Sequence, residues 1–257
     1  MNSKQLFIAY STIVRKEVAR FVRIWPQTFL PSIVTTVLYF LIFGAFIGSQ
    51  IKEVGGVSYM AFIVPGLVMM AILNGSFQNI AASFFQLKFM KTVEEILVSP
   101  MPAWVVVLGY ITGSLLRGLV IGLLVFLSAY MFEFIPVAHP FLALVIASFT
   151  SIIFSLAGLI NAIYAKGFDA INIIPTFVIT PLTYLGGVFY SLTLLPEVWQ
   201  KISYANPVLY MVNAFRYSIL GFSDINFLTS IAVLFACAGT LFVWVIYLFK
   251  TGKGLRA

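Results

Sequence analysis

The chain has 257 residues, 61% of them hydrophobic, 16% aromatic and only 9% charged, with a formal net charge of +7. A soluble domain carries roughly 25% charged residues, so this composition excludes an ordinary soluble enzyme or binding module. The positive balance reads as membrane orientation and requires no nucleic-acid partner.

In chain order, Leu6, Tyr10, Ile13, Val14, Phe21, Val22 and Trp25 recur at helical spacing, while Lys4, Arg15, Lys16, Arg20 and Arg23 fall mostly on the other side. Residues 1–25 therefore predict a basic amphipathic helix lying on the inner membrane surface. Basic residues interrupt the short stretch Leu6–Val14, so no cleavable signal peptide is expected. Trp25 and Pro26 mark the turn into the first of six apolar stretches: Gln27–Gly48, Tyr59–Ala82, Ile111–Phe132, Phe141–Ala165, Ile171–Tyr190 and Phe227–Phe249. Each is long enough to cross a hydrocarbon core of ~30 Å, which takes about 20 residues. Lipid offers the backbone no partners and the alternation of a membrane barrel is missing, so the spans are helices.

Six spans place both termini on one side. One set of flanks carries Lys4, Arg15, Lys16, Arg20, Arg23, Lys88, Lys91, Lys166, Lys250, Lys253 and Arg256, against Lys52, Lys201 and Arg216 on the other. Eleven against three puts both termini in the cytoplasm. Arg117 falls inside the third span, close enough to its cytoplasmic end to snorkel, with Glu94 or Glu95 as possible partners.

Three segments are more than plain spans. The link 84–102 is a short amphipathic helix, with Lys88, Lys91 and Glu95 on one stripe and Met90, Val93 and Leu97 on another, ended by Pro100 and Pro102. Its charged face has no partner in the chain, which fits either an interfacial loop or a docking helix. The outer segment 191–224 reads as a re-entrant pair: Pro196 and Glu197 open one helical turn, Asn206 and Pro207 serve as N-cap and N1, and Gly221 ends a helix over Pro207–Leu220. Glu197, Lys201 and Arg216 are its charged residues, and Lys201 and Arg216 could attract an anionic headgroup. In the fifth span Asn172, Thr176, Thr180 and Thr183 share a helical face beside the kinking prolines Pro175 and Pro181, and in the second span Asn74 and Gln78 are one turn apart. Such stripes serve either helix packing or a translocation path. The pairs Gly109/Gly113 and Gly118/Gly122 read as packing.

Several chemistries lack their residues. His139 and Cys237 are each the single residue of their type, which removes a His-based metal site, a triad and an internal disulfide. No phosphate-loop sequence occurs, and Gly252-Lys253-Gly254 is a basic tail. No acidic residue lies deep in a predicted span; Glu133, Asp169 and Asp224 sit at span ends, which argues against the alternative of an ion-coupled transporter or channel working without an ATPase. An intramembrane enzyme would need an acidic or histidine cluster at one face, and none is evident.

The stretch TVEEILVSPMP (Thr92–Pro102), PLTYLGGVFYSLTLLP (Pro181–Pro196) and NPVLYMVNAFRY (Asn206–Tyr217) resemble the inner-loop and C-terminal signatures of the permease subunits of ABC type-2 exporters. The resemblance covers essentially the whole chain, residues 1–257, as one all-α integral membrane domain: an N-terminal interfacial helix, six transmembrane helices, a coupling link and an outer re-entrant helical segment between spans five and six. It implies a homodimer served by two copies of a separate ABC ATPase subunit, with ATP and Mg bound by that partner and no cofactor or metal in this chain. By the same resemblance Met90, Lys91, Glu94 and Glu95 would form the coupling helix, and Lys166 and Asp169 a smaller second contact. Asn74, Gln78, Asn172, Thr176, Thr180 and Thr183 would lie near the substrate path between protomers. The resemblance does not supply the substrate; an apolar, aromatic-rich chain with few charges suggests an amphipathic or lipid-like cargo, with membrane lipids as the surroundings. Reporter fusions at Met1 and Ala257 should be active only in the cytoplasm; activity on the far side of the membrane at either end overturns this topology.

Overall fold

The computed structural model describes residues 2–47, 53–54 and 56–255. Gly48 at the end of the first predicted span, the counted charges Lys52 and Arg256, and the terminal Met1 and Ala257 lie outside the described residues. In order, the elements are α1 (Ser3–Arg23), α2 (Trp25–Tyr39) with a π-helical continuation over Phe40–Ile47, the short antiparallel pair β1 (Glu53–Val54) and β2 (Val57–Ser58), α3 (Tyr59–Phe89), α4 (Val93–Val98), α5 (Ala103–Ala129) and α6 (Pro140–Tyr164). Then come α7 (Phe168–Ile174), a π-helical turn at Pro175–Ile179, α8 (Thr180–Tyr184), a 3-10 turn at Leu192–Leu194, α9 (Glu197–Tyr204), α10 (Pro207–Leu220) and α11 (Phe227–Thr251).

Among the described residues five helical runs are long and apolar enough to cross a membrane: Trp25–Gly44, Tyr59–Phe89, Ala103–Ala129, Pro140–Tyr164 and Phe227–Thr251. They coincide with five of the six predicted stretches. The predicted stretch Ile171–Tyr190 is helical only through Tyr184. Its helix stops because the chain turns at Gly186 and Gly187; Gly187 takes a φ of +70°, and a side chain at Gly186 would run into Val208 of α10. The kink expected from Pro175 and Pro181 takes the form of a π turn. The Thr180 amide and hydroxyl both donate to the Pro175 carbonyl, the hydroxyl at 2.9 Å. An i→i+5 turn satisfies the backbone around a proline that cannot donate.

The core is built around α3. It packs against α5 on one side and α6 on the other, with α10 lying over α3, α6 and α11. At about 46 Å, by 1.5 Å per residue, α3 is about three turns longer than a hydrocarbon thickness of ~30 Å. In lipid, helices gain contact through small residues that admit a neighbour. A Cβ on Gly118 would stand 2.0 Å from Ser76 Oγ, and the Ser76 and Ser151 hydroxyls hydrogen-bond at 2.7 Å in the same spot. A Cβ on Gly158 would meet the Phe77 carbonyl oxygen at 2.6 Å. Gly109 and Gly113 admit Ile13 and Glu17 of α1. The two predicted glycine pairs are thus packing sites.

In contrast, α2 and α11 show much of their apolar surface, including Leu30, Val34, Leu38, Phe235, Val243 and Trp244. Replacing Gly158 with Ala should lower the thermal stability of the detergent-solubilised protein by an amount equivalent to about 1–3 kcal/mol. The same change at Gly239, where nothing lies within 4 Å, should leave stability unchanged or raise it; equal shifts at both positions would contradict this packing.

Candidate functional site

At the basic end of the bundle the predicted coupling residues gather. The helix expected over Met90–Leu97 is shorter than the periodicity suggests. Met90 and Lys91 form a turn, with Lys91 in the left-handed region at φ 60°, and α4 begins only at Val93. The helical Lys91–Glu95 pair is therefore not made. Val93 is buried and anchors α4, whereas Glu94 and Glu95 are exposed in its first turn, where the helix dipole favours them. Phe89 and Met90 are each 62% exposed and Val98 86%. Lys88 donates to the carbonyls of Ile163 and of Ala165, the latter at 3.1 Å, and so caps the C-terminus of α6. Phe168 stacks its ring between Phe85 and Phe89, with centroids 5.1 and 5.0 Å away. The two connections are thereby held side by side, with Lys166 and Asp169 exposed beside α4's end of α3.

The polar stripes are only partly coherent. Asn74 is half-buried and donates to its own helix at Met70, while Gln78 is exposed, as are Ala82 and Gln86 further along α3. Asn172, Thr176 and Thr180 are exposed, but Thr183 is buried and bonds back to Ile179. The π turn inserts a residue and rotates the helix beyond it, so a stripe drawn at regular helical spacing loses its last member. At the far end of this run, α8 meets the α2 run through an aromatic cluster. Tyr39 and Tyr184 share a hydroxyl hydrogen bond of 3.1 Å, and the rings of Phe43 and Phe189 stack at 4.7 Å.

A buried polar hub joins α1, α3 and α5, and it corrects three expectations. Glu17 is fully buried, although the sequence places it on the interfacial helix and no carboxylate is expected inside. It accepts from Ser83 Oγ at 2.5 Å and from Arg20 Nη2 at 2.9 Å. Arg20 does not face headgroups: it also donates to the backbone and side-chain oxygens of Asn79, at 3.0 and 2.8 Å. Arg117 does not snorkel toward Glu94 or Glu95. It reaches the Asn79 side chain at 3.2 Å, because α5 begins at Ala103, well before the predicted span, and Arg117 sits against α3. Asn79 completes its bonding by donating to Ser114 at 2.9 Å. A signal for this hub existed: Glu17 lies on the face of Tyr10, Ile13 and Phe21, and Ser76, Asn79 and Ser83 recur at spacings of three and four.

At the opposite end α10 runs over Pro207–Leu220 as its turn residues predict, capped by Asn206, which accepts from the Val208 amide, and ended by a left-handed Gly221. Asn206 also donates to the Leu182 carbonyl at 2.6 Å. Glu197 and Lys201 are exposed on α9, but Arg216 is fully buried and cannot attract a headgroup. It donates to the Gly187 carbonyl at 2.6 Å and lies 3.9 Å over the Phe62 ring. Asp224 accepts from Ser191 Oγ and the Leu192 amide at 2.8 and 2.9 Å, closing the segment on itself. Ser58 caps α3 and donates to the Glu133 carboxylate at 2.6 Å.

Residues 8–220 match the family described as ABC-2 type transporter. The chain is 48% identical over 256 residues to the inner membrane transport permease YadH of Escherichia coli, covering 98% of both chains. It is 26% identical over 203 residues to nodulation protein J of Sinorhizobium fredii, covering 76% of this chain and 77% of that one. To nodulation protein J of Rhizobium meliloti it is 27% identical over 206 residues, covering 77% of each.

Truncating Glu17 to Ala removes the carboxylate that pairs with Arg20, a side chain one quarter exposed, and leaves the Ser83 hydroxyl without its acceptor. The expected loss is about 1–3 kcal/mol of stability, read as a fall in the detergent unfolding temperature, whereas truncating the exposed Glu197 should change it little. Equal, small shifts for both would show that the hub carries no stability.

Proposed function

Because the chain belongs to the ABC-2 type transporter family, we propose that it is the membrane half of an ATP-driven exporter, working as a homodimer with two copies of a separate ATPase. The family places the chain as the transmembrane permease component of an ABC transporter, partnered with an ATPase subunit, in a multi-pass inner-membrane arrangement. The finer reading rests on one observation. The segment Phe89–Val98 presents two carboxylates and three large apolar side chains to solvent at one end of the bundle, while Val93 pins it to the core. A surface of that mixture fits a protein partner better than water.

The basic end is the cytoplasmic one in this reading, the broken run Phe168–Tyr184 is the fifth of six crossings, and α9–α10 dip into the outer leaflet and return. ATP and Mg bind to the partner. When the ATPase dimer closes it displaces α4, and Lys88, bridging α3 to the end of α6, passes that movement to both helices. The path for cargo runs past Asn74 and Gln78 on α3 and Asn172, Thr176 and Thr180 on α7–α8, which the single chain leaves uncovered. Thr183 packs inside instead. Few charges and many exposed aromatic and aliphatic side chains fit an amphipathic or lipid-like cargo moved outward.

Reversing both charges, Glu94→Lys with Glu95→Lys, should leave the membrane fold intact and weaken ATPase association or its stimulated turnover by the equivalent of a few kcal/mol. Copurification of the ATPase and its turnover in the presence of the permease measure this. Wild-type values for both would remove α4 from the mechanism.

A further inference from the structure

Between α5 and α6 lies an open groove of about 390 Å3, within the size range of small-ligand sites. Val68 and Ile72 of α3 form its buried floor, and its rims carry Val120, Leu123 and Leu144, all exposed. Every side chain lining it is apolar. Val137 and Ile219 also line a second space of about 380 Å3, so the two adjoin, and this second space holds Ser58 and Glu133. The groove is not on the face read above as a cargo path. At 3.6 residues per turn, Asn74 and Gln78 stand about 200° and 240° around α3 from Ile72.

Charge at the end of the groove selects what fills it. Glu133 is half-buried and is the one charged side chain lining either space among the described residues. Its carboxylate accepts from Ser58 Oγ at 2.6 and 2.8 Å, which leaves lone pairs for further donors. An apolar groove with exposed aliphatic rims, ending at a carboxylate, suits a molecule with a hydrocarbon tail and a cationic head. A membrane phospholipid carrying an ammonium has both, and a purely anionic headgroup is repelled by Glu133. A primary ammonium donates charge-assisted hydrogen bonds to a carboxylate. A quaternary one is held by cages of several aromatic rings, and Phe134 is the one ring lining the second space among the described residues. We propose that the groove holds one acyl chain of a phospholipid with a primary-amine headgroup, whose ammonium rests on Glu133. This lipid wedges between α5 and α6 at the end of the bundle opposite the basic one, apart from the proposed cargo path.

The full chain tests this when reconstituted in nanodiscs of equal parts phosphatidylethanolamine, phosphatidylcholine and phosphatidylglycerol with matched acyl chains, then released into native mass spectrometry. One phosphatidylethanolamine per chain should stay bound in preference to the other two. Glu133→Gln, which keeps an acceptor for Ser58, should lower that retention roughly tenfold through loss of a charge-assisted contact. Leu123→Trp, which fills the groove from its exposed rim, should lower it with Glu133 still in place. Phosphatidylethanolamine with a photoreactive acyl chain should label residues 119–126 and 140–147 of the wild-type chain above all others. Unlabelled phosphatidylethanolamine should suppress that labelling and phosphatidylglycerol should not, a comparison that needs no variant to fold. Equal retention of the three lipids, a wild-type preference surviving in Glu133→Gln, or labelling confined to other helices overturns the proposal. Preferential retention of phosphatidylcholine overturns the primary-amine assignment.

Discussion

The close approach of α3 to α5 and α6 is the contact on which the other elements depend. Hydrocarbon is as apolar as leucine, so burying leucine against leucine gains little inside a membrane, and association must come from van der Waals contact and hydrogen bonds. The chain meets that condition with glycine and serine where the axes come nearest. Gly118 lies under the Ser76–Ser151 hydroxyl pair, Gly122 lies against Ile72, and Gly158 lies on the Phe77 carbonyl. With α3 fixed in this way, α10 has a floor to lie on and α1 a groove to enter. The periphery, α2 and α11, is left with apolar faces turned outward.

Charge is handled on the opposite principle. A buried charge is tolerable when it is paired and hydrogen-bonded. The Ser83 hydroxyl and the Arg20 guanidinium donate to the Glu17 carboxylate, and the side-chain oxygen of Asn79 accepts from both Arg20 and Arg117, while Nε of each arginine finds no partner among the described residues. The arrangement makes α1 more than a float on the bilayer. Its C-terminal half is bolted by polar contacts to α3 and by close packing to α5, so a force applied to α1 is felt by the central helix. At the other end the buried Arg216 has a carbonyl on Nη2 and an aromatic face, and its Nε and Nη1 have no partner among the described residues.

Much of this architecture is legible in the residues alone. Hydropathy finds five long helices, because length and apolar content are what a membrane demands, but it misses about two turns at the end of α3 and at the start of α5. Turn chemistry locates α10 to the residue through Asn206, Pro207 and Gly221. The features that escape depend on three-dimensional neighbours. Glu17 and Arg20 look like the polar face of a surface helix until α3 supplies Ser83 and Asn79. Arg117 looks like a snorkelling cation until α5 is seen to start at Ala103. Thr183 belongs to a regular stripe until a π turn breaks the regularity. The link between α3 and α5 is legible as a short helix, but periodicity overextends it, because it cannot see the left-handed turn at Lys91.

That π turn has a further consequence. A π bulge is, geometrically, an α-helix carrying one residue too many. Removing a single residue between Pro175 and Ile179 would let the run close into ordinary α-helix, with the residues beyond it swung by about 100° around the axis and drawn in by about 1.5 Å. Tyr184 would then leave Tyr39, and Gly187 would no longer meet Arg216. Chain length in this short stretch is therefore under tighter constraint than its composition: substitutions can be absorbed there, whereas a one-codon gap would dismantle the contacts between the α2 run, α8 and α10.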